Sequence, residues 1–269
     1  MIFVYLFVTV LIISILASLL GTLLRIIVEE QKLDWKQLSA ECMEIAVSVY
    51  IILTYIPGWF PSRPTKNPNP KIVHPPILLV PGYSLNRMSM FFISIYLKRL
   101  GYEWVWCINH PVLKDDVQAF AKALDEKIHW FCHYTQSTEV TVIAHSMGGI
   151  VSNLAIQNHN SPIQNLITLG TPWKGTKLYM FGLGKHVLQL APAHPIIQRM
   201  VVPTVRHLAL WSRQDWILLP NENAIMEGLH HKEVSHIGHV SLLMHARTLP
   251  LIHQFLNEQE TATDSLCHR

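Results

Sequence analysis

Charge is scarce in this chain. Only 14% of its 269 residues are Asp, Glu, Lys or Arg, against about 25% in ordinary soluble domains. No dense Lys/Arg run occurs and the net charge is +3, so no nucleic-acid partner is expected. Cysteine is sparse as well. Cys42, Cys107, Cys132 and Cys267 show no CxxC or zinc spacing. Cys107, near the end of a probable strand, and Cys132, in a probable helix, read as small core residues. There are 16 histidines but no HExxH-type spacing, so no metal centre is expected. No internal repeat is visible.

Apolar material is abundant instead. Half of the residues are hydrophobic and the mean hydropathy is +0.25. Residues 2–24 (IFVYLFVTVLIISILASLLGTLL) carry no charge. A helix of that length spans roughly 34 Å, enough to cross a bilayer. The run exceeds a signal-peptide core and lacks an early Lys or Arg, so it reads as a retained anchor. A second apolar stretch, 45–60 (IAVSVYIILTYIPGWF), is short for a crossing and rich in aromatics. It suits a short span, a helix on the bilayer surface, or a helix packed on the enzyme. Residues 1–60 are thus expected to form a membrane anchor, with localisation at a membrane. The side is undetermined, because both flanks are similarly basic: Arg25, Lys32 and Lys36 against Arg63, Lys66 and Lys71. The stretch 61–76 (PSRPTKNPNPKIVHPP) holds six prolines. Proline disfavours regular structure, so 61–75 reads as a linker and 76–269 as the folded domain.

From Pro76 onward, short apolar runs alternate with longer amphipathic stretches. Strands are expected at 77–80, 103–108, 140–144, 165–169, 207–211 and 232–235. A helix is expected over 114–135, where Val117, Phe120, Ala121, Leu124, Ile128 and Phe131 recur at three- and four-residue spacing. Another opens at Ser146 or Met147. A last one covers about 240–257, broken or kinked at Pro250. This order predicts an α/β fold: a mostly parallel sheet with helices on both faces.

Four segments carry chemistry. AHSMGG (144–149) lies between a strand and a helix, the setting of a nucleophile elbow, and makes Ser146 the candidate nucleophile. LLVPGYS (78–84) ends an early strand, where an oxyanion loop belongs. Its Tyr83 N–H and the Met147 N–H are the candidate oxyanion donors. SRQDWILLP (212–220) places Asp215 just past a late strand. Asp115 and Asp116 precede the serine and so fail the chain order Ser, Asp, His. EVSHIGHVSLL (233–243) offers His236 and His239. His239, after the last strand, is the candidate base, with Asp215 fixing its tautomer. His145, beside the nucleophile, reads as structural. Between Thr176 and Arg206 there is room for a small cap. Tyr179, Met180, Phe181 and Leu183 are candidates to line an acyl pocket or face lipid.

Together these segments resemble the lipase-like branch of the α/β-hydrolase superfamily, over about residues 76–258. ITLGTPWKGT (167–176) is similar to the TLGTPHxGT segment of that branch, with Trp173 where His is common. VPGYSLNR, including Asn86 and Arg87, resembles the oxyanion loop of membrane-anchored bacterial lipase-like hydrolases. WSRQDWILLP resembles SxxDxxVxP, and SHIGHVSLL resembles GVGHxxLL, with His239 on that histidine. Ala144 stands where the GxSxG pattern has Gly. The resemblance implies hydrolysis of carboxylic esters, of lipid or acylglycerol type, through an acyl-enzyme and with no cofactor. A lipid-like ester and the bilayer are the expected partners. Acyl transfer by the same triad is the alternative, and a catalytically inactive membrane-bound module a remoter one.

Overall fold

The computed structural model describes residues 2–29, 35–71, 74–109 and 116–267. In chain order the elements are α1 (Ile2–Glu29), α2 (Trp35–Leu53), the short turn α3 (Tyr55–Gly58), β1 (Thr65–Lys66), β2 (Ile77–Val80), α4 (Phe91–Leu100), β3 (Trp104–Cys107), α5 (Val117–Thr135), β4 (Val140–His145), α6 (Met147–His159), β5 (Ile163–Leu169), α7 (Lys185–Leu188), α8 (Pro195–Gln198), β6 (Arg206–Trp211), β7 (His231–Glu233) and α9 (Thr248–Cys267).

Among the described residues the sheet has seven strands, in the order β1-β3-β2-β4-β5-β6-β7. From β3 to β7 every neighbouring pair is parallel. Only β1, in the proline-rich stretch, pairs antiparallel, with Thr65 opposite Val105. Parallel strands need both faces covered, and the residues show it. In β2, Leu78 and Val80 join the core under α5 and α6, while Ile77 and Leu79 join the other core with α4 and α9. The whole periodic face expected of α5, from Val117 to Phe131, is buried. Trp173, unusual at its place in the motif, is buried in the first of these cores. Cys42, Cys107 and Cys132 are free thiols.

One expected element is corrected. Residues 241–243 form a 3-10 turn, and α9 starts afresh at Thr248. The break thus falls before Thr248, and Pro250 lies in the first turn of a helix, where no partner for its missing N–H is needed.

The segment 45–60 falls in α2 and α3 and is hydrogen-bonded to the residues after β2. Tyr50 Oη donates to the Met88 carbonyl at 3.1 Å. Asn86 Nδ2 donates to Tyr55 O at 2.8 Å, and Arg87 donates to the carbonyls of Pro57 and Phe60. Residues 2–24 do form a helix, within α1, but many of its side chains lie outside the described residues. Among the described residues no helix is long and apolar enough to cross a membrane. The expected transmembrane span is therefore not among the described features.

Asn86 carries much of this junction. It is buried, donates to Tyr55 O, and accepts from Met88 N at 3.0 Å. Replacing it with Ala removes both bonds and leaves a partly buried carbonyl without its donor, at about 1–3 kcal/mol. Urea unfolding of Asn86→Ala should show that loss, and a change under about 0.5 kcal/mol would contradict it.

Candidate active site

β4 ends at His145, and the chain turns sharply into α6. Ser146 stands on the turn with φ 52° and ψ −125°. A non-glycine residue there is strained by about 1–3 kcal/mol. The turn is over-determined by its neighbours. Ser146 N donates to Leu169 O at 2.8 Å, and Thr171 Oγ1 donates to Ser146 O at 3.0 Å. A Cβ at Gly148 would lie 2.6 Å from the Pro81 carbonyl, and one at Gly149 would strike Thr171. The small residues of the motif are thus explained by backbone closeness.

The loop after β2 lies against this turn. A Cβ on Gly82 would sit 2.8 Å from His145 Nδ1 and 2.9 Å from Ser146 Cβ. Glycine therefore brings Tyr83 beside the serine. The Tyr83 hydroxyl in turn accepts from Leu183 N at 2.7 Å and donates to Leu183 O at 2.9 Å, tying this loop to the cap segment.

Asp215 follows β6 and is fully buried. Its Oδ1 accepts from the N–H groups of Ile217 and Leu218, at 2.9 and 3.0 Å. Its Oδ2 faces His239 Nδ1 at 2.6 Å. One oxygen shapes the turn and the other holds the imidazole. Beside a carboxylate, Nδ1 carries the proton, leaving Nε2 as the acceptor. Burial alone would lower the His239 pKa, but the charge and hydrogen bond of Asp215, helped by Glu44, carry it above the ordinary value. His236 takes another course: its backbone is left-handed, at φ 59°, and its N–H donates to Gln214 Oε1 at 2.6 Å. Asp116 caps α5 and pairs with Lys185, while Asp115 lies outside the described residues.

Two groups that sequence reasoning did not assign to the site hold His239 and the two residues after it. His145 Nε2 lies 3.2 Å from the His239 carbonyl, so Nε2 is its donor. Burial, then the neighbouring His239, holds His145 well below the usual histidine range and hence neutral. Glu44, from α2, is the second. Its Oε1 accepts from Val240 N at 2.9 Å. Its Oε2 accepts from Ser241 N at 2.9 Å and from Ser241 Oγ at 2.6 Å. A Cβ at position 238 would strike the Glu44 carboxylate, so Gly238 makes room for it. Burial pushes the Glu44 carboxyl upward, against the pull of those hydrogen bonds. A sequence signal for Glu44 did exist: an acid at the edge of an apolar run is almost never buried without partners.

Two cavities open on this constellation, and Ser146, His239, Tyr83 and Trp216 line both. Of the four expected pocket residues, Tyr179 and Phe181 line the cavity under the cap. Met180 and Leu183 point outward, 64% and 79% exposed.

A family model, the PGAP1-like alpha/beta domain, matches residues 109–188. That span includes Ser146 and leaves Asp215 and His239 outside. The mature lipase BlEst2 of Bacillus licheniformis superposes with a TM-score of 0.61 at 19% identity, over 73% of this chain and 98% of that one. Aspergillus fumigatus lipase B gives 0.58 at 17%, over 69% and 53%. The alpha/beta hydrolase MGS-MChE2, from a lagoon-sediment metagenome of Mar Chica, Morocco, gives 0.53 at 18%, over 70% and 93%. The chain has the lipase-like α/β-hydrolase fold. No curated protein matches it in sequence. In this fold, Ser146, Asp215 and His239 all sit beyond the carboxyl ends of parallel strands, where open α/β sheets collect their ligands.

Glu44 makes the site depend on α2. Glu44→Ala leaves two N–H groups and a hydroxyl without an acceptor, and should cost about 1–3 kcal/mol of stability. Thermal and urea unfolding of the purified variant measure this. Wild-type stability in Glu44→Ala would show that those donors have other partners.

Proposed function

We propose that this α/β hydrolase cleaves carboxylic esters of lipid-like chemistry, with Ser146 as nucleophile, His239 as general base and Asp215 as its orienting acid. The observation that carries this reading is the buried 2.6 Å Asp215–His239 pair, whose histidine lines a cavity together with the strained Ser146. Ser146 Oγ attacks the ester carbonyl while His239 Nε2 takes its proton. The oxyanion sits on the N–H groups of Met147 and Tyr83. As the tetrahedral intermediate collapses, the C–O bond breaks and His239 returns the proton to the leaving alcohol. Water, deprotonated by the same histidine, then cleaves the acyl-enzyme and releases the acid.

Apolar walls favour a lipid ester over a small polar one. The walls include Leu178, Phe181, Val187 and Leu190 under the cap and Ile51 and Ile52 of α2. Action at a bilayer is part of the proposal. Its support is the outward face of α1, where Ile12, Leu16, Leu19, Leu23 and Ile27 are exposed. A contiguous apolar surface of that kind calls for a lipid or protein cover. Flotation of the full chain with phosphatidylcholine vesicles tests this. Protein that stays at the bottom of the gradient, with or without vesicles, speaks against it.

Ser146→Ala should lose ester cleavage by at least about 10³-fold and lose labelling by a fluorophosphonate probe. Equal activity in the two proteins would end the proposal. The base acts only when neutral, so kcat/KM should rise with pH through a value above about 6.5, because Asp215 raises the His239 pKa. In Asp215→Asn the limb should move down and kcat fall by about 10³–10⁴-fold. An unshifted limb would remove Asp215 from the assigned role.

A further inference from the structure

Just after His239 the chain enters a short 3-10 turn, Ser241–Leu243. The first N–H groups of a helical turn have no partner within it, and a side chain just ahead commonly takes them. Val240, at that place, offers no such side chain. The acceptor comes from α2 instead, almost two hundred positions away. Glu44 Oε1 takes the Val240 N–H and Oε2 the Ser241 N–H, each at 2.9 Å, and Ser241 Oγ adds a third donor at 2.6 Å.

Fastening α2 to the domain does not call for such a group. α2 and the residues that follow it are already tied to the loop beyond β2, through Tyr50 Oη on the Met88 carbonyl and Arg87 on the carbonyls of Pro57 and Phe60. Burying a carboxyl group costs free energy, and an apolar side chain would hold a helix at less cost. The placement of Glu44 points to the reaction. It lines the cavity that Ser146 and His239 also line, and its bonds fall on the backbone beside the base.

Asp215 holds the imidazole through Nδ1 alone. A ring held at one atom keeps its place only as well as its backbone does. The 239–240 peptide group is planar, with its carbonyl and its N–H on opposite edges. His145 Nε2 donates to that carbonyl at 3.2 Å, and Glu44 takes that N–H. Two side chains thus grip one peptide plane from both edges, and Glu44 holds the next N–H as well.

We infer that Glu44 is a positioning residue of the proposed reaction: with His145 it fixes the plane of the 239–240 peptide, and through it the place of His239 Nε2 relative to Ser146 Oγ. This inference rests on the ester-hydrolase reading of the site and adds to it. A general base works only within hydrogen-bond reach of the proton it takes, and a misplacement of about 1 Å can cost about 10²-fold in rate.

The test uses the full chain in neutral-detergent micelles with p-nitrophenyl butyrate. It compares wild type, Glu44→Ala, Glu44→Gln and Tyr50→Phe, each corrected for its folded fraction. Tyr50→Phe removes a hydrogen bond that ties α2 to the loop beyond β2 and not to the His239 turn. In Glu44→Ala kcat should fall by about 10- to 100-fold, with KM within about threefold of wild type. Glu44→Gln keeps the shape but turns its amide nitrogen toward an N–H donor, and kcat should fall by about three- to thirtyfold. Tyr50→Phe should keep kcat within about twofold. The proton between Asp215 and His239 reports without turnover: its downfield NMR resonance should shift or broaden in both Glu44 variants and stay in Tyr50→Phe. A kcat within about twofold of wild type in Glu44→Ala, or in Glu44→Gln where the alanine variant does not fold, overturns this inference alone. So does an unmoved resonance in those variants, and so does an equal loss of kcat in Tyr50→Phe, which would reduce Glu44 to an anchor of α2. Failure of wild type both to cleave the ester and to take a fluorophosphonate label overturns the ester-hydrolase reading and this inference with it.

Discussion

His239 and the residues just after it are held by groups from three distant parts of the chain, and the rest of the site depends on that grip. Asp215 fixes the ring through Nδ1. His145 holds the carbonyl of the same residue. Glu44 gathers the next two N–H groups. A ring fixed only by its carboxylate could still swing with its loop. Here the loop is tied to β4 on one side and to α2 on the other. For the proposed chemistry such pre-positioning matters, because reorganisation at the moment of reaction costs rate.

The same grip explains why the first two helices cannot be a passive appendage. Glu44 puts a carboxyl group inside a largely apolar helix, and its burial is tolerable only because three donors meet it. In exchange, α2 is fastened to the site, and α1 follows through Gly21 against Trp216 and Ser18 against Glu41. The apolar excess of the chain is then used on two surfaces. One face of the helices closes a cavity at Ser146. Another face of α1 is left outward and apolar.

Local patterns were readable from the residues because their causes are local. The strand, tight turn and helix around Ser146 lie within a dozen residues, and the small residues there answer to contacts with adjacent strands. The apolar period of α5 named its buried face in advance. Pro250 misled, since a proline's effect depends on whether it falls in a helix's first turn or its interior, and that boundary was invisible. β1 was hidden among prolines, because a two-residue edge strand has no period to detect. Glu44 left only a faint trace, an acid beside an apolar run.

By itself the sequence determined what is written over short distances: alternating strands and helices, the order of serine, acid and histidine, and an apolar amino-terminal stretch. Only the tertiary structure decided which distant groups meet. It set Glu44 against the residues after His239, almost two hundred positions away. It also turned α1 and α2 into one wall of a cavity at Ser146. The physical reason is that hydrophobic periodicity names a face to be buried but carries no label for the surface that covers it. Partner choice across that distance rests on shape and on hydrogen bonds that exist only once the chain is packed.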